Sequence, residues 1–433
     1  MGPTVAPGTT PGPASWAQYH GAVDHAGVDA GEPAAASPHV DWKSPPLDGQ
    51  MHAAPLMLGD GVYVATEHDS VYRLDAATGA IRWQASLGTA VRGGEVVPRA
   101  ADHGLCGGDP EYGVVSTPII DTARNELFAL AMVEPGRHHL EGVDLASGRV
   151  VMDRDVDPPG LDPLVQQQRT ALVIDQGRVY AGFGGFNGDC GRYHGWVVGA
   201  SEDGSGPVVS FSTDGTSAGI WGPSGPQVLA DGTMLVATGN SGTADSGHAN
   251  SVLRLTPTLT QTGAFFPPDR VALTVGDLDF GSMGPAVLGP DLAFQAGKAG
   301  VGYLFRISTM GSQAPAVFSA KVCSAAYGGT AWAPPYLYVP CLDGVHALRI
   351  DGERFTEVWH GPRTWAGPPV LSGGVLWSQD LSGTTLLGFD PVTGTAVTSL
   401  AVGQTVHFAT PASGGGRLVI ATRAPRVVSV AGV

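Results

Sequence analysis

Along most of the chain, short alternating apolar runs are separated by breaks rich in Gly, Asp and Pro. Runs such as Gly-Val-Tyr-Val-Ala (61–65), Arg-Val-Tyr-Ala-Gly (178–182) and Thr-Met-Leu-Val-Ala (233–237) are dominated by β-branched, aromatic and small residues. That is the pattern of strands joined by tight turns. A unit built from these runs recurs at irregular intervals of about 38 to 63 residues, in the range expected for propeller blades. Its first strand follows a Pro or a small residue, as in Ala-Pro-Leu-Met-Leu (54–58), Thr-Pro-Ile-Ile (117–120), Gly-Pro-Gln-Val-Leu (225–229) and Pro-Pro-Val-Leu (368–371). The third strand often ends in Asp-x-x-Thr/Ser-Gly, at 75–79, 144–148 and 390–394. There Asp can accept backbone N–H bonds and Gly can take positive φ, so the motif is turn chemistry. The fourth strand often carries a Trp, as at Trp83 and Trp359.

Eight such units start along the chain, and the last, His407 to Val433, runs out after three strands. Val40-Asp41-Trp42-Lys43, ahead of the first unit, matches the missing fourth strand. The pattern therefore predicts an all-β, eight-bladed β-propeller of four-stranded antiparallel blades. Its ring closes by pairing the N-terminal strand with the C-terminal blade, which removes the free sheet edges. Residues 1–15, rich in Pro, Gly and Thr, read as a flexible tether, and 16–433 as one propeller domain. The tether has neither the basic region nor the apolar region of a signal peptide.

Composition narrows the partners. The 433 residues include 64 Gly and 34 Pro, only 14% are charged, and the net charge is −16. That balance argues against a nucleic-acid surface. No apolar run approaches the roughly 18 residues of a membrane span, and a monomer is expected. Four cysteines, Cys106, Cys190, Cys323 and Cys341, contain no C-x-x-C pair, which argues against zinc ligation by thiolates. An even count suggests two disulfides and an oxidising compartment. Of the three connectivities we favour Cys323–Cys341, which flank one predicted hairpin, with Cys106–Cys190 as the remainder.

In a propeller the loops entering the first strands, and those between strands two and three, converge on one face. The entry loops bring His52, Arg169, Trp221, Tyr327, Trp365 and His407. The other set includes Glu67, Asp189, Asn240 and Lys298. So many aromatic and ionisable residues predict a ligand pocket at the channel mouth. His138-His139 and the mouth histidines are also candidates for a transition metal.

The repeats resemble those of the quinoprotein-like propeller superfamily, which includes pyrroloquinoline quinone (PQQ) dehydrogenases and outer-membrane assembly propellers. Trp16-Ala-Gln-Tyr-His20, Gln166-Gln-Gln-Arg169, Gly188-Asp-Cys-Gly-Arg-Tyr-His-Gly-Trp196 and Val339-Pro-Cys-Leu-Asp-Gly are similar to secreted actinobacterial PQQ-like propellers over almost the whole chain. With the cysteines, this resemblance implies secretion or a surface tether. Trp221 falls where PQQ-dependent alcohol dehydrogenases stack a Trp under the quinone. Thr238-Gly-Asn240 is similar to their calcium-binding Thr-Gly-Asn, and Asp277-Leu-Asp279-Phe-Gly to the segment that carries their catalytic base. Lys298 matches the cation beside the quinone carbonyls.

The resemblance thus implies PQQ held by Trp221 and Lys298, with Arg169, Trp365 and Tyr327 as further cofactor contacts. It implies calcium on Asn240, Asp279 and Asp189, and Asp279 as the base acting on an alcohol or sugar. The chain departs from that pattern in having no adjacent cysteines. Its counterpart of the third calcium carboxylate is Cys190 or, after a one-residue shift, Asp189. With no haem-attachment motif, electrons would need an external acceptor. The expectations for function are therefore a PQQ- and calcium-dependent oxidoreductase, or a non-catalytic extracellular propeller binding a protein, glycan or small molecule. A third, weaker one is a lyase or hydrolase using His52 and His407 as catalytic groups with Tyr327 and Arg169.

Overall fold

The computed structural model describes residues 14–96, 109–189, 191–241, 247–312 and 314–433. Eight antiparallel sheets follow one another along the chain. Blade 1 comprises Leu56–Gly59, Gly61–Thr66, Ser70–Asp75 and Ile81–Ser86. Blade 8 comprises Ala412–Gly414, Arg417–Thr422 and Arg426–Ala431, with His39–Lys43 as its outer strand. That outer strand pairs antiparallel with Arg426–Ala431, with Val40 opposite Val430 and Trp42 opposite Ser429. The ring closes as the sequence pattern predicts. Burial of apolar side chains between neighbouring blades is the main stabilising term. Blades 1 and 2, for example, share Leu56, Val71, Ile120 and Leu127, and blades 3 and 4 share Val173, Val197, Val236 and Leu253.

The two repeat signatures lock into each other across blade boundaries. The indole N–H groups of Trp42, Trp83 and Trp359 donate to the carbonyls of Ala76, Leu145 and Pro391, each at 3.0 Å. Each acceptor directly follows the Asp of the Asp-x-x-Thr/Ser-Gly turn in the next blade. The turn glycines Gly79, Gly148 and Gly394 have φ near +70°. A Cβ there would stand 2.4, 2.7 or 2.5 Å from the corresponding indole. Glycine is thus needed both for its backbone conformation and for the room it leaves the Trp.

The N-terminal segment does more than close the ring. Ala14–Trp16 pairs antiparallel with the first strand of blade 1, so strand structure already begins within the span read as a tether; residues 1–13 lie outside the described residues. The chain then crosses the axis. Ala17 accepts from the Ile120 N–H of blade 2, Val23 from the Gln227 side chain of blade 4, and Ala26 from the Trp332 N–H of blade 6. Val28–Asp29 runs parallel to Leu371–Ser372 of blade 7. Tyr19, His20 and His25 are buried. Desolvation pushes the two imidazoles down to about 4 and about 3, so both are neutral at physiological pH. A Cβ on Gly329 would meet the Tyr19 hydroxyl at 2.6 Å. Gly329 lies two residues beyond Tyr327, so this crossing segment floors the mouth.

The Cys323–Cys341 disulfide is present; Cys106 and Cys190 fall outside the described residues. Among the described residues no helix is long and apolar enough to cross a membrane.

Candidate functional site at the channel mouth

Blades 4 and 5 build the first polar centre. The Thr238 hydroxyl donates to the His248 carbonyl at 2.5 Å and accepts from the Ser251 N–H at 3.0 Å, pinning the loop after the second strand of blade 4. Gly239 then lets another loop approach, for a Cβ there would stand 2.4 Å from Asp279 Oδ1 and 3.0 Å from the Trp221 indole nitrogen. Asn240 donates its backbone N–H to Asp279 Oδ1 and its side-chain amide to Asp277 Oδ1, both at 2.7 Å. Asp279 Oδ2 is 2.5 Å from the Lys298 ammonium, with Asp277 at 3.6 Å. Burial alone would lower the Lys298 pKa, but the two carboxylates hold it above the ordinary lysine value. Phe280 anchors the loop, packing edge-on against Tyr303 at 5.6 Å.

An aromatic wall adjoins this centre. The Lys298 ammonium and the Arg169 guanidinium each lie 5.9 Å from the Trp221 ring centre. Arg169 also lies 5.6 Å from the Phe408 ring. His407 stacks on Phe408 at 4.0 Å and meets Trp365 edge-on at 4.3 Å; Tyr327 is 6.2 Å from Trp365 and 6.4 Å from His407. Phe408 holds φ at +66°, unusual for a bulky residue. Among the described residues Arg169 has no hydrogen bond or ion pair, and desolvation lowers its pKa. His407 keeps an open edge to the mouth, yet desolvation and the charges of Arg169 and His52 hold its pKa down to about 3.

A cavity of about 170 Å³ lies on the blade 1 side, its wall including His52, Glu67, Asp109, Arg169 and His407. Glu67 is buried, which raises its pKa. Asp189 is exposed and accepts a 2.5 Å hydrogen bond from the buried Tyr193.

The structure thus brings together Trp221, Asn240, Asp279 and Lys298, and beside them Arg169, Tyr327, Trp365 and His407, with His52 across the cavity. Asp189 bonds instead to Tyr193. The adjacent His138 and His139 do not converge, because successive strand residues face opposite sides. His138 is buried against Asp157 at 2.7 Å, and His139 meets Asp153 at 2.6 Å. Phe408 and Asp109 carried no motif, and Tyr193, within the Gly188–Trp196 segment, was given no role. Phe408's position beside His407 in an entry loop was the only available signal.

A family model described as outer membrane protein assembly factor BamB matches residues 34–192. Among solved structures, the chain is similar to a quinohemoprotein alcohol dehydrogenase from Pseudomonas putida HK5, at 12% identity and a TM-score of 0.71, over 97% of this chain and 80% of that one. A europium-containing methanol dehydrogenase gives 13% and 0.69, over 94% and 89%. BamB from Moraxella catarrhalis gives 14% and 0.60, over 92% and 99%. At such identities the structural likenesses establish the fold. No curated protein matches the sequence. Family model and fold agree with the resemblance read in the sequence, that of a PQQ-like β-propeller.

Proposed function

We propose that the channel mouth binds a small planar anion, such as an aromatic carboxylate. The observation that carries this reading is Arg169. Among the described residues its guanidinium makes no hydrogen bond or ion pair, and it lies 5.9 Å from the Trp221 ring and 5.6 Å from the Phe408 ring. Its desolvation outweighs the nearby negative charges of Asp109 and Glu67, and a bound anion would relieve that. Trp221 and Phe408 offer flat faces to a ring, and Lys298 adds a second positive charge. The adjoining cavity of about 170 Å³ shares Arg169 and His407 with this wall but also carries the Glu67 and Asp109 carboxylates, which favours the aromatic side for the anion. The disulfide supports an oxidising location outside the cytosol.

A second reading, a PQQ- and calcium-dependent oxidoreductase, draws support from the convergence of Trp221, Asn240, Asp279 and Lys298. Its calcium fits poorly. Calcium takes six to eight oxygen ligands, whereas Asp279 has both oxygens engaged by Asn240 and Lys298, and Asp189 is bonded to Tyr193. The charge beside Asp279 is already supplied by the Lys298 ammonium.

Isothermal titration of the full chain with benzoate and hydroxybenzoates, and with PQQ with and without calcium, separates the two. Aromatic carboxylates should bind without calcium and lose affinity in Arg169→Ala and Trp221→Ala. Absence of binding by any of these anions would overturn the proposal. Calcium-dependent binding of PQQ alone would replace it with the oxidoreductase reading.

A further inference from the structure

Blade 1 brings a separate set of donors to the mouth. His52 comes from its entry loop, Glu67 from the turn after its second strand, and Asp109 from the connection to blade 2. One ligand atom from each lies within 4.8 Å of the others. Glu67 is only 3% exposed, yet among the described residues neither its Oε1 nor His52 Nε2 has a hydrogen-bond partner. The two atoms stand 3.4 Å apart, too far for a charge-assisted hydrogen bond of about 2.7–2.9 Å. Two ligands each about 2.1 Å from a tetrahedral zinc ion stand about 3.4 Å apart. The pair therefore has the spacing of neighbouring ligands on one metal ion rather than that of donor and acceptor.

We propose that His52 Nε2, Glu67 Oε1 and the Asp109 carboxylate form a site for a divalent first-row transition metal of the zinc class. An imidazole among the donors selects such an ion over calcium. Two carboxylates offset its double charge. Three protein ligands leave a coordination position for water or an anion, on the side of the cavity walled by Arg169 and His407. An anion in that position would touch the metal on one side and the guanidinium on the other. This site shares only Arg169 and His407 with the planar-anion reading and does not rest on it.

The test uses the full chain, stripped of metal. Zinc chloride is titrated in competition with a chromophoric chelator, and cobalt chloride is followed by visible absorption. One equivalent of each should bind, with cobalt giving the intense visible bands of a low-coordinate site. Glu67→Gln and Asp109→Asn should each weaken zinc binding by at least the roughly tenfold that loss of even an outer ligand partner costs. His139→Gln, outside the mouth, should leave zinc affinity unchanged. Absence of stoichiometric zinc binding by the unmodified chain would overturn the proposal whether or not the variants fold. Wild-type zinc affinity in Glu67→Gln would also overturn it. Neither result bears on benzoate binding, which is measured without metal.

Discussion

At blades 4 and 5, the buried Asp279 has one oxygen on a backbone N–H and the other on the Lys298 ammonium. At blade 1 the equally buried Glu67 leaves Oε1 without a hydrogen bond, facing His52 Nε2, which also has none. Both centres stand at the same mouth and use the same chemical groups. The first has its charges balanced by its own residues, so it can persist without a ligand. The second, with Arg169 beside it, holds buried polar atoms that have no hydrogen bond among the described residues and that a ligand could satisfy. The difference separates groups that stabilise the fold from groups positioned to bind, which residue type and motif alone do not.

The largest expected effect tests the self-sufficient centre. Asp279→Ala would leave the Lys298 ammonium half-buried without its main partner, and urea unfolding should show a loss of about 3 kcal/mol. Gly239→Ala comes next, because its Cβ would meet Asp279 Oδ1 at 2.4 Å; the same measurement should show a loss of about 1–3 kcal/mol. Arg169→Leu sharpens the contrast from the other side. Stability should be unchanged or higher by about 1 kcal/mol, since a desolvated charge with no hydrogen bond among the described residues is removed, while benzoate binding is lost. A clear destabilisation would mean that Arg169 belongs with the satisfied groups.

The smallest effect serves as a reference away from the mouth. Glu141 is buried in blade 2, and desolvation, with the nearby Asp153, raises its pKa to about 8. The folded state therefore holds a proton that the unfolded chain releases near pH 4.5. Its contribution makes stability fall as pH rises through that window. Glu141→Gln should melt with the wild type near pH 5 and a few degrees above it near pH 8, as read by thermal unfolding.

How much of this was legible in the sequence depended on range. The blades and their closure rest on patterns that repeat, and Val40-Asp41-Trp42-Lys43 could be placed because it matched Ile81-Arg82-Trp83-Gln84. The convergence of Trp221, Asn240, Asp279 and Lys298 was anticipated because each sits in a recognisable loop. The docking of each Trp onto the next blade's turn was not, although both partners were visible, because the contact crosses between repeats. Nor was the segment from Trp16 to Asp29 that crosses the axis. It repeats nothing, and its order comes from carbonyls meeting N–H groups on distant blades. Asp109, which joins His52 and Glu67, was hidden for the same reason; the bond from Tyr193 to Asp189 is local, four residues apart, but nothing in the motif that contains both marks them as partners.

The strand that completes the ring has a consequence for how the protein is made. The outer strand of blade 8 is synthesised well before its partner, with the other blades between them. Hydrogen bonds at this seam, such as that from the Val427 N–H to the Ser44 hydroxyl, bridge 383 residues. Such non-local pairing is slow to form. Until Arg426–Ala431 is made, the growing chain carries an unpaired strand and an incomplete fan of sheets, open to pairing with other chains. Assembly would therefore be most vulnerable before that strand is in place, and the seam is the joint on which a finished molecule depends.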